Sequence, residues 1–421
     1  LFTSIYGIVD GLCVSNFVGK TAFAAVNLIM PLPMLLGTIG FMLGTGGSAI
    51  VGITLGEGDQ KKADRYFTLF LLAALISVSV LAVLGIVFLR PIAVLLGAKG
   101  ELLDYAVRYG RILMVSLPTF ALQNMFQSFF VTAEKPHLGF WFTVGAGCTN
   151  MVLDVLMVGI WGWGVEGAAI ATFISQLVGG VLPVFYFIDR SNSSRLHLCK
   201  TSFYSKVLRD ACINGSSELM TNLSMSLVNI LYNYQLLRLA GENGVAAYGV
   251  IMYAAFLFVA VFVGYAVGSA PIVSFHYGAR NHAEVHNLYR KSLRLIAVVA
   301  VTLTLASMFI IPCVARIFVG YDAELLALTS RAFRLYALSF LIMGFNVYAS
   351  SFFTALGDGV TSALISFLRT LAFQVIAILL LPLLLGIDGI WLAVTAAELA
   401  ALAVSAAMLL TKDKVFHYRK A

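Results

Sequence analysis

Apolar side chains in this chain of 421 residues neither alternate nor recur at helical spacing on one face. They fill whole runs of about twenty residues or more, set apart by short polar turns. A run of that length crosses a hydrocarbon core of roughly 30 Å as an α-helix. The pattern therefore predicts an all-α membrane protein with twelve transmembrane helices, at 1–18, 24–55, 66–90, 103–132, 138–160, 166–188, 208–238, 245–276, 292–316, 327–355, 361–386 and 389–411. The pattern also repeats, at about 222 residues: Leu55-Gly56 matches Tyr277-Gly278, Phe130 and Thr132-Ala133 match Phe352 and Thr354-Ala355, and Gly164-Val165-Glu166-Gly167 matches Gly386-Ile387-Asp388-Gly389. Six spans per half is an even number, so two six-helix lobes are expected as parallel repeats about an axis along the membrane normal. The expected domains are an N-terminal lobe at 1–189, a cytoplasmic linker at 190–206 and a C-terminal lobe at 207–421. Leu1 already lies inside an apolar run, and the repeat places about fifteen helical residues before it, so the first helix is read as truncated.

Composition sharpens this picture. With 60% hydrophobic and 11% charged residues, the chain lies far from soluble domains, which are about 25% charged. The turns leave no room for a soluble catalytic or nucleotide-binding domain, and no phosphate-loop motif occurs. Uphill movement of a solute would then need an ion gradient. Lys and Arg crowd the loops after even-numbered spans, including Lys61, Lys62, Arg65, Arg190, Arg195 and Lys200, which predicts cytoplasmic termini. That asymmetry and contact with anionic lipid headgroups explain the net charge of +7 without nucleic acid. The five cysteines have no paired spacing and read as small buried hydrophobes. The six histidines lie in or beside cytoplasmic loops and no HExxH occurs, so an intramembrane enzyme is the weaker alternative. No cofactor is expected. Gly37, Gly40, Gly44, Gly46, Gly47, Gly264 and Gly268 read as helix-packing positions, and Pro31 and Pro33 as loosening the start of the second span.

Ionisable groups within apolar runs are costly and so carry the most information. Asp10 lies in the first span, Asp154 in the fifth, Glu218 about eleven residues into the seventh and Glu398 in the twelfth. Glu166 and Asp388 fall at helix starts, where a carboxylate favours the helix dipole. Asn150 precedes Asp154 by one turn on the same face. At about 1.5 Å per residue, Asp10, Asp154 and Thr172 share one level, on the order of 10 Å below the outer surface. The repeat counterparts of Asp10, Asn150, Asp154 and Thr172 are Tyr232, Ala372, Ile376 and Val394, so the second bundle assembles without this cluster. That favours function over scaffolding. Two carboxylates in one site suit a proton, and the Asn and Thr oxygens suit Na⁺; either ion fits. Glu218 is a candidate second proton or substrate site, with Arg369 and Gln374 as possible cavity-lining residues and Arg369 as a partner for one of the acids. Glu398 has apolar neighbours and no polar partner at helical spacing, and reads as packing.

These residues resemble the multidrug and toxic compound extrusion (MATE) family, in particular its DinF-type and MepA-type prokaryotic branch, over essentially the whole chain. The resemblance rests on Ile5-Tyr6-Gly7-Ile8-Val9-Asp10, Leu55-Gly56-Glu57-Gly58-Asp59, Asn150-Met151-Val152-Leu153-Asp154, Gly162-Trp163-Gly164-Val165-Glu166-Gly167, Gly244-Val245-Ala246-Ala247-Tyr248, and Pro271-Ile272-Val273-Ser274 with Tyr277-Gly278. It implies a V-shaped pair of six-helix lobes in a prokaryotic cytoplasmic membrane, exporting small amphipathic, often cationic compounds in exchange for H⁺ or Na⁺. It also implies a cation site at Asp10, Asn150, Asp154 and Thr172. Some relatives use an acid in the tenth helix; residues 327–355 contain none. A monomer is expected, and a flippase for lipid-linked precursors of the same superfamily is the alternative function.

Overall fold

The computed structural model describes residues 14–18, 20–96, 98–319 and 323–418, and within these it is helical with no strand. Asp10 and most of the first expected span lie outside the described residues. The chain divides into two compact units between Gly215 and Ser216.

The first unit opens with a short π-helical turn, Val14–Val18, and continues through α1 (Lys20–Ile29), α2 (Pro31–Gly56), α3 (Gln60–Leu95) and α4 (Glu101–Thr132). The second expected span is thus two helices. Pro31 has no N–H to extend α1 and instead occupies the first turn of α2, the position where a helix tolerates it. α2 packs against α4 at backbone distance: a Cβ on Gly40 would stand 2.4 Å from the Ala121 carbonyl oxygen. Asp59 starts α3 by accepting a hydrogen bond from the Lys62 N–H at 3.0 Å. Next come α5 (Pro136–Asp154), a π-helical turn at Val155–Ile160, α6 (Gly164–Gly180) and α7 (Leu182–Ile188). Phe67, Phe126, Phe129, Phe130 and Phe187 form one aromatic cluster, with Phe67 and Phe187 ring centres 5.0 Å apart.

The polar segment after α7 lies along this unit. The His197 N–H donates to Asp64 Oδ1 at 3.0 Å, the Cys199 N–H to Thr68 Oγ1 at 3.1 Å, and Thr201 Oγ1 to the Arg65 carbonyl at 2.8 Å. It leads into α8 (Ser205–Asn214), which packs on α2 so closely that a Cβ on Gly46 would meet the Ala211 carbonyl at 2.1 Å.

The second unit contains α9 (Ser216–Gly278), α10 (His282–Val319), α11 (Ala323–Ala337), α12 (Phe340–Ala355), α13 (Gly359–Phe367), a π-helical turn at Leu368–Ala372, α14 (Phe373–Leu385), α15 (Ile387–Thr411) and the short α16 (Asp413–Phe416). Gly241, at φ 61° and ψ −152°, interrupts α9 and separates its two spans. Asn281 accepts from the Glu284 N–H at 3.2 Å and starts α10 as Asp59 starts α3. The backbone repeats as the sequence does: Gly164 and Gly386 both have positive φ, 61° and 59°, and so do Gly58 and Arg280, 85° and 55°. Tyr418 anchors the end of the described chain; it is fully buried, its hydroxyl donates to the Leu409 carbonyl at 2.7 Å, and its carbonyl accepts from His286 Nδ1 at 2.9 Å.

Among the described residues, eight helices are long and apolar enough to cross a membrane, and α11 with α12, bent by 46°, makes a ninth. The other three of the twelve expected spans fall on the first span, on α4 and on α9 before Gly241. Residues such as Leu95, Phe309 and Leu383 are 86%, 82% and 79% exposed, as hydrocarbon contact requires. Two sequence readings are corrected. Among the described residues, a Cβ on Gly264 or Gly268 would meet nothing within 4 Å, so no close helix contact there explains these glycines. Cys148 and Cys313 are exposed rather than buried, and Cys199 and Cys212 half-buried; on a lipid-facing wall a thiol needs no burial to lie in apolar surroundings.

Candidate ion and substrate site

The first unit gathers its polar side chains where α5 meets α6. Both helices are rich in small residues there: Gly145, Ala146 and Gly147 precede Asn150, and Gly167, Ala168, Ala169 and Ala171 precede Thr172. Small residues allow α5 and α6 to approach, so the longer polar side chains at Asn150 and Asp154 turn inward and are enclosed. Asn150 is 1% exposed, Asp154 0% and Thr172 8%. Asn150 Nδ2 donates to Thr172 Oγ1 at 3.4 Å, while its Oδ1 is buried without a hydrogen-bond partner among the described residues. An orphaned buried acceptor is rare and asks for a ligand. Amide, hydroxyl and carboxylate oxygens together are the donor set of a hard monovalent cation, and the carboxylate alone suffices for a proton.

Asp154 is the last residue of α5, and the helix widens into its π turn at the next position. π turns inside helices often mark functional positions. Asp10 lies outside the described residues, so its approach to this cluster remains a sequence expectation. Sequence reasoning missed Gln123 and Asn124 on α4, 6% and 7% exposed, and Gln176 on α6, whose Oε1 is buried without a partner among the described residues. Amides lack the charge that made the carboxylates conspicuous in apolar runs.

In the second unit the acids stand differently from expectation. Glu218 is not eleven residues inside a helix: α8 ends at Asn214, the backbone breaks at Gly215, and Glu218 is in the first turn of α9, half-buried. There its charge favours the exposed N–H groups of the helix start. Glu398 is not a packing residue. It is 1% exposed, Arg369 Nη1 donates to its Oε1 at 3.3 Å, and Asn346 Nδ2 donates to its Oε2 at 2.7 Å. Its partners come from α12 and from the π turn before α14, a tertiary arrangement invisible to spacing along one helix. Gln374 stands half-buried at the start of α14. Glu166 and Asp388 do occupy first turns, of α6 and α15, and Asp388 is bonded by Arg331.

Comparison with known proteins agrees with the duplicated fold. "Multidrug export protein MepA" of Staphylococcus saprophyticus is 21% identical over 421 residues, covering 99% of this chain and 91% of that protein. The MepA protein of Staphylococcus aureus strain MSSA476 is 21% identical over 417 residues with the same coverage. The crystal structure of MATE in complex with MaL6 superposes with a TM-score of 0.92 at 23% identity, covering 100% of this chain and 94% of that one. The outward-facing conformation of a multidrug resistance MATE family transporter of the MOP superfamily superposes with a TM-score of 0.92 at 24% identity, covering 100% and 93%. A family model, MatE, matches twice, over residues 1–156 and 219–380, once in each unit, and the chain belongs to that family.

Proposed function

We propose that this protein is a cation-coupled antiporter that exports small amphipathic, cationic organic compounds by alternating access. The observation that carries this reading is the enclosed cluster of Asn150, Asp154 and Thr172, with an acceptor oxygen on Asn150 left without a donor among the described residues. The relatives named as multidrug export proteins support the substrate class.

Charge links the cluster to transport. An enclosed carboxylate strongly prefers to be neutralised, either by a proton or by a cation held by neighbouring oxygens. If the site binds its ion more tightly in one conformation than in the other, the ion gradient shifts the balance between inward-open and outward-open states; with equal affinities it shifts nothing. Ion entry from outside would promote drug release to that side, and ion release inside would reset the carrier. Asp10 would supply a second carboxylate to the same site. The coupling ion is H⁺ or Na⁺, the protein acts as a monomer in a prokaryotic cytoplasmic membrane, and both termini are cytoplasmic. A flippase for lipid-linked precursors would need a basic cavity, and the guanidinium of Arg369 is already engaged by Glu398.

Ethidium efflux from proteoliposomes tests this reading, with a pH gradient and a Na⁺ gradient imposed separately. One gradient should drive efflux and Asp154→Asn should abolish it. Efflux under neither gradient from folded protein, or full efflux by Asp154→Asn, would overturn it.

A further inference from the structure

The two units carry one polar pair at matching positions and charge it differently. Asn124 matches Asn346 and Gln176 matches Glu398 at the repeat of about 222 residues. The first unit keeps both members neutral. In the second, an acid replaces the glutamine, and the position of Gly147 holds Arg369, so the acid and its counter-cation occur together. Scaffolding does not ask for this, since a buried ion pair is often no more stable than apolar residues of similar volume.

Around Glu398 the bonding is incomplete. Arg369 Nη1 holds Oε1, and Asn346 Nδ2 holds both Oε2 and, at 2.9 Å, the backbone carbonyl of Glu398. Asn346 is 0% exposed, yet its Oδ1 has no donor among the described residues, and Arg369 Nε has no acceptor. Among the described residues, the other ionisable groups facing this cluster are Glu218 from α9, which interacts electrostatically with Arg369, and Tyr336 from α11, which interacts with Glu398. One guanidinium thus bonds Glu398 and acts electrostatically on a second carboxylate, Glu218. The cluster is one positive charge short, and its free acceptor lies beside a carboxylate that has no hydrogen to give.

We propose that Glu398, set by Asn346 and Arg369, is a proton-accepting site belonging wholly to the second unit. The proton comes from hydronium, which is left as water, and bonds to Oε2, which gives Glu398 an O–H donor. The Asn346 amide turns so that Oδ1 accepts that hydrogen. The ion pair with Arg369 Nη1 opens, and the guanidinium shifts to Glu218, its remaining anionic neighbour. One O–H bond breaks in hydronium and one forms at Oε2, and the charge of the cluster rises by one. The role of this step in transport rests on the antiport reading; the protonation itself does not.

Infrared difference spectra between about pH 5 and pH 8 read the protonated-carboxyl stretch directly. Wild type and Asp154→Asn, in lipid nanodiscs, should share a band that Glu398→Gln removes. An unchanged set of bands in Glu398→Gln overturns the proposal, whether or not the protein exports drugs. Glu398→Gln with Arg369→Gly restores the neutral pattern of the first unit and serves the same test should the single variant not fold. In proteoliposomes Glu398→Gln should lower pH-driven ethidium efflux about tenfold while leaving ethidium affinity within about twofold. Wild-type efflux by this variant would overturn the coupling role, whereas wild-type efflux by Asp154→Asn would overturn the antiport reading instead.

Discussion

The first unit encloses Asp154 one helical turn from an amide that bonds a hydroxyl, whereas the second encloses Glu398 with a guanidinium and an amide that both donate to it. The second supplies a counter-ion from the chain itself. The role proposed for the first is to take its counter-ion from solution. The shared backbone geometry, from the helix starts at Asp59 and Asn281 to the positive φ of Gly164 and Gly386, shows that duplication preserved the frame while the chemistry inside each unit diverged. A transport protein built from such halves need not use them alike.

Substitutions at matching positions put this contrast at risk. The largest effect is expected at Glu398: Glu398→Ala takes the bonded carboxylate from the largely enclosed Arg369 and should cost about 3 kcal/mol, while Gln176→Ala at the matching position should cost about 1 kcal/mol. Thermal unfolding in detergent measures both, and equal losses would show that the ion pair contributes no more than the amide. Next comes packing. Gly40→Ala places a methyl group against the Ala121 backbone and should cost about 1–3 kcal/mol, but Gly268→Ala, with open space around it, should gain up to about 1 kcal/mol in helix propensity. A loss at Gly268 would restore the packing role that the sequence suggested for it.

The helix starts should behave alike: Asp59→Ala and Asn281→Ala are each expected to cost about 1 kcal/mol, and a clear difference would mean that the caps are not equivalent. The smallest effect concerns Asp358, at the start of α13. Burial raises the affinity of its carboxyl for a proton, but the Lys412 ammonium at 2.8 Å and hydrogen bonds from Thr361 outweigh burial and hold it below the usual carboxylate range. A depressed folded-state value means that its stabilisation is complete above the unfolded value of about 3.9 and is lost as pH falls through the folded value. Lys412→Met should lower stability near neutral pH, where the stabilisation is fully present, by less than about 1 kcal/mol for so partly exposed a pair, and leave stability below both values little changed, so that the acid-side loss is weaker. Acid unfolding curves that coincide for the two proteins would show that Asp358 contributes nothing to acid sensitivity.

Much of the frame was legible in the sequence because apolar run length and the repeat act on whole segments. The inward placement of Asn150, Asp154 and Thr172 was legible too, since one helical turn relates the first two and a buried carboxylate in an apolar run must face the interior. What escaped was decided by contacts between segments. The break at Gly215, which moves Glu218 to a helix start, depends on a backbone approach to Met42 that leaves no room for a side chain. The identity of Glu398 as an ion-pair residue depends on α12 and on the π turn bearing Arg369. Asp10 remains where the sequence placed it, as an expectation for the proposed site.

The polar segment and α8 are bonded to α3 and α2, so the first unit uses its own chain to close itself through residue 215. During synthesis the residues that make these contacts all emerge before Ser216. These contacts can therefore form while the second unit is still being synthesised, at about 5–20 residues per second. The packing divides one short helix beyond the point at which polarity alone would have drawn the line.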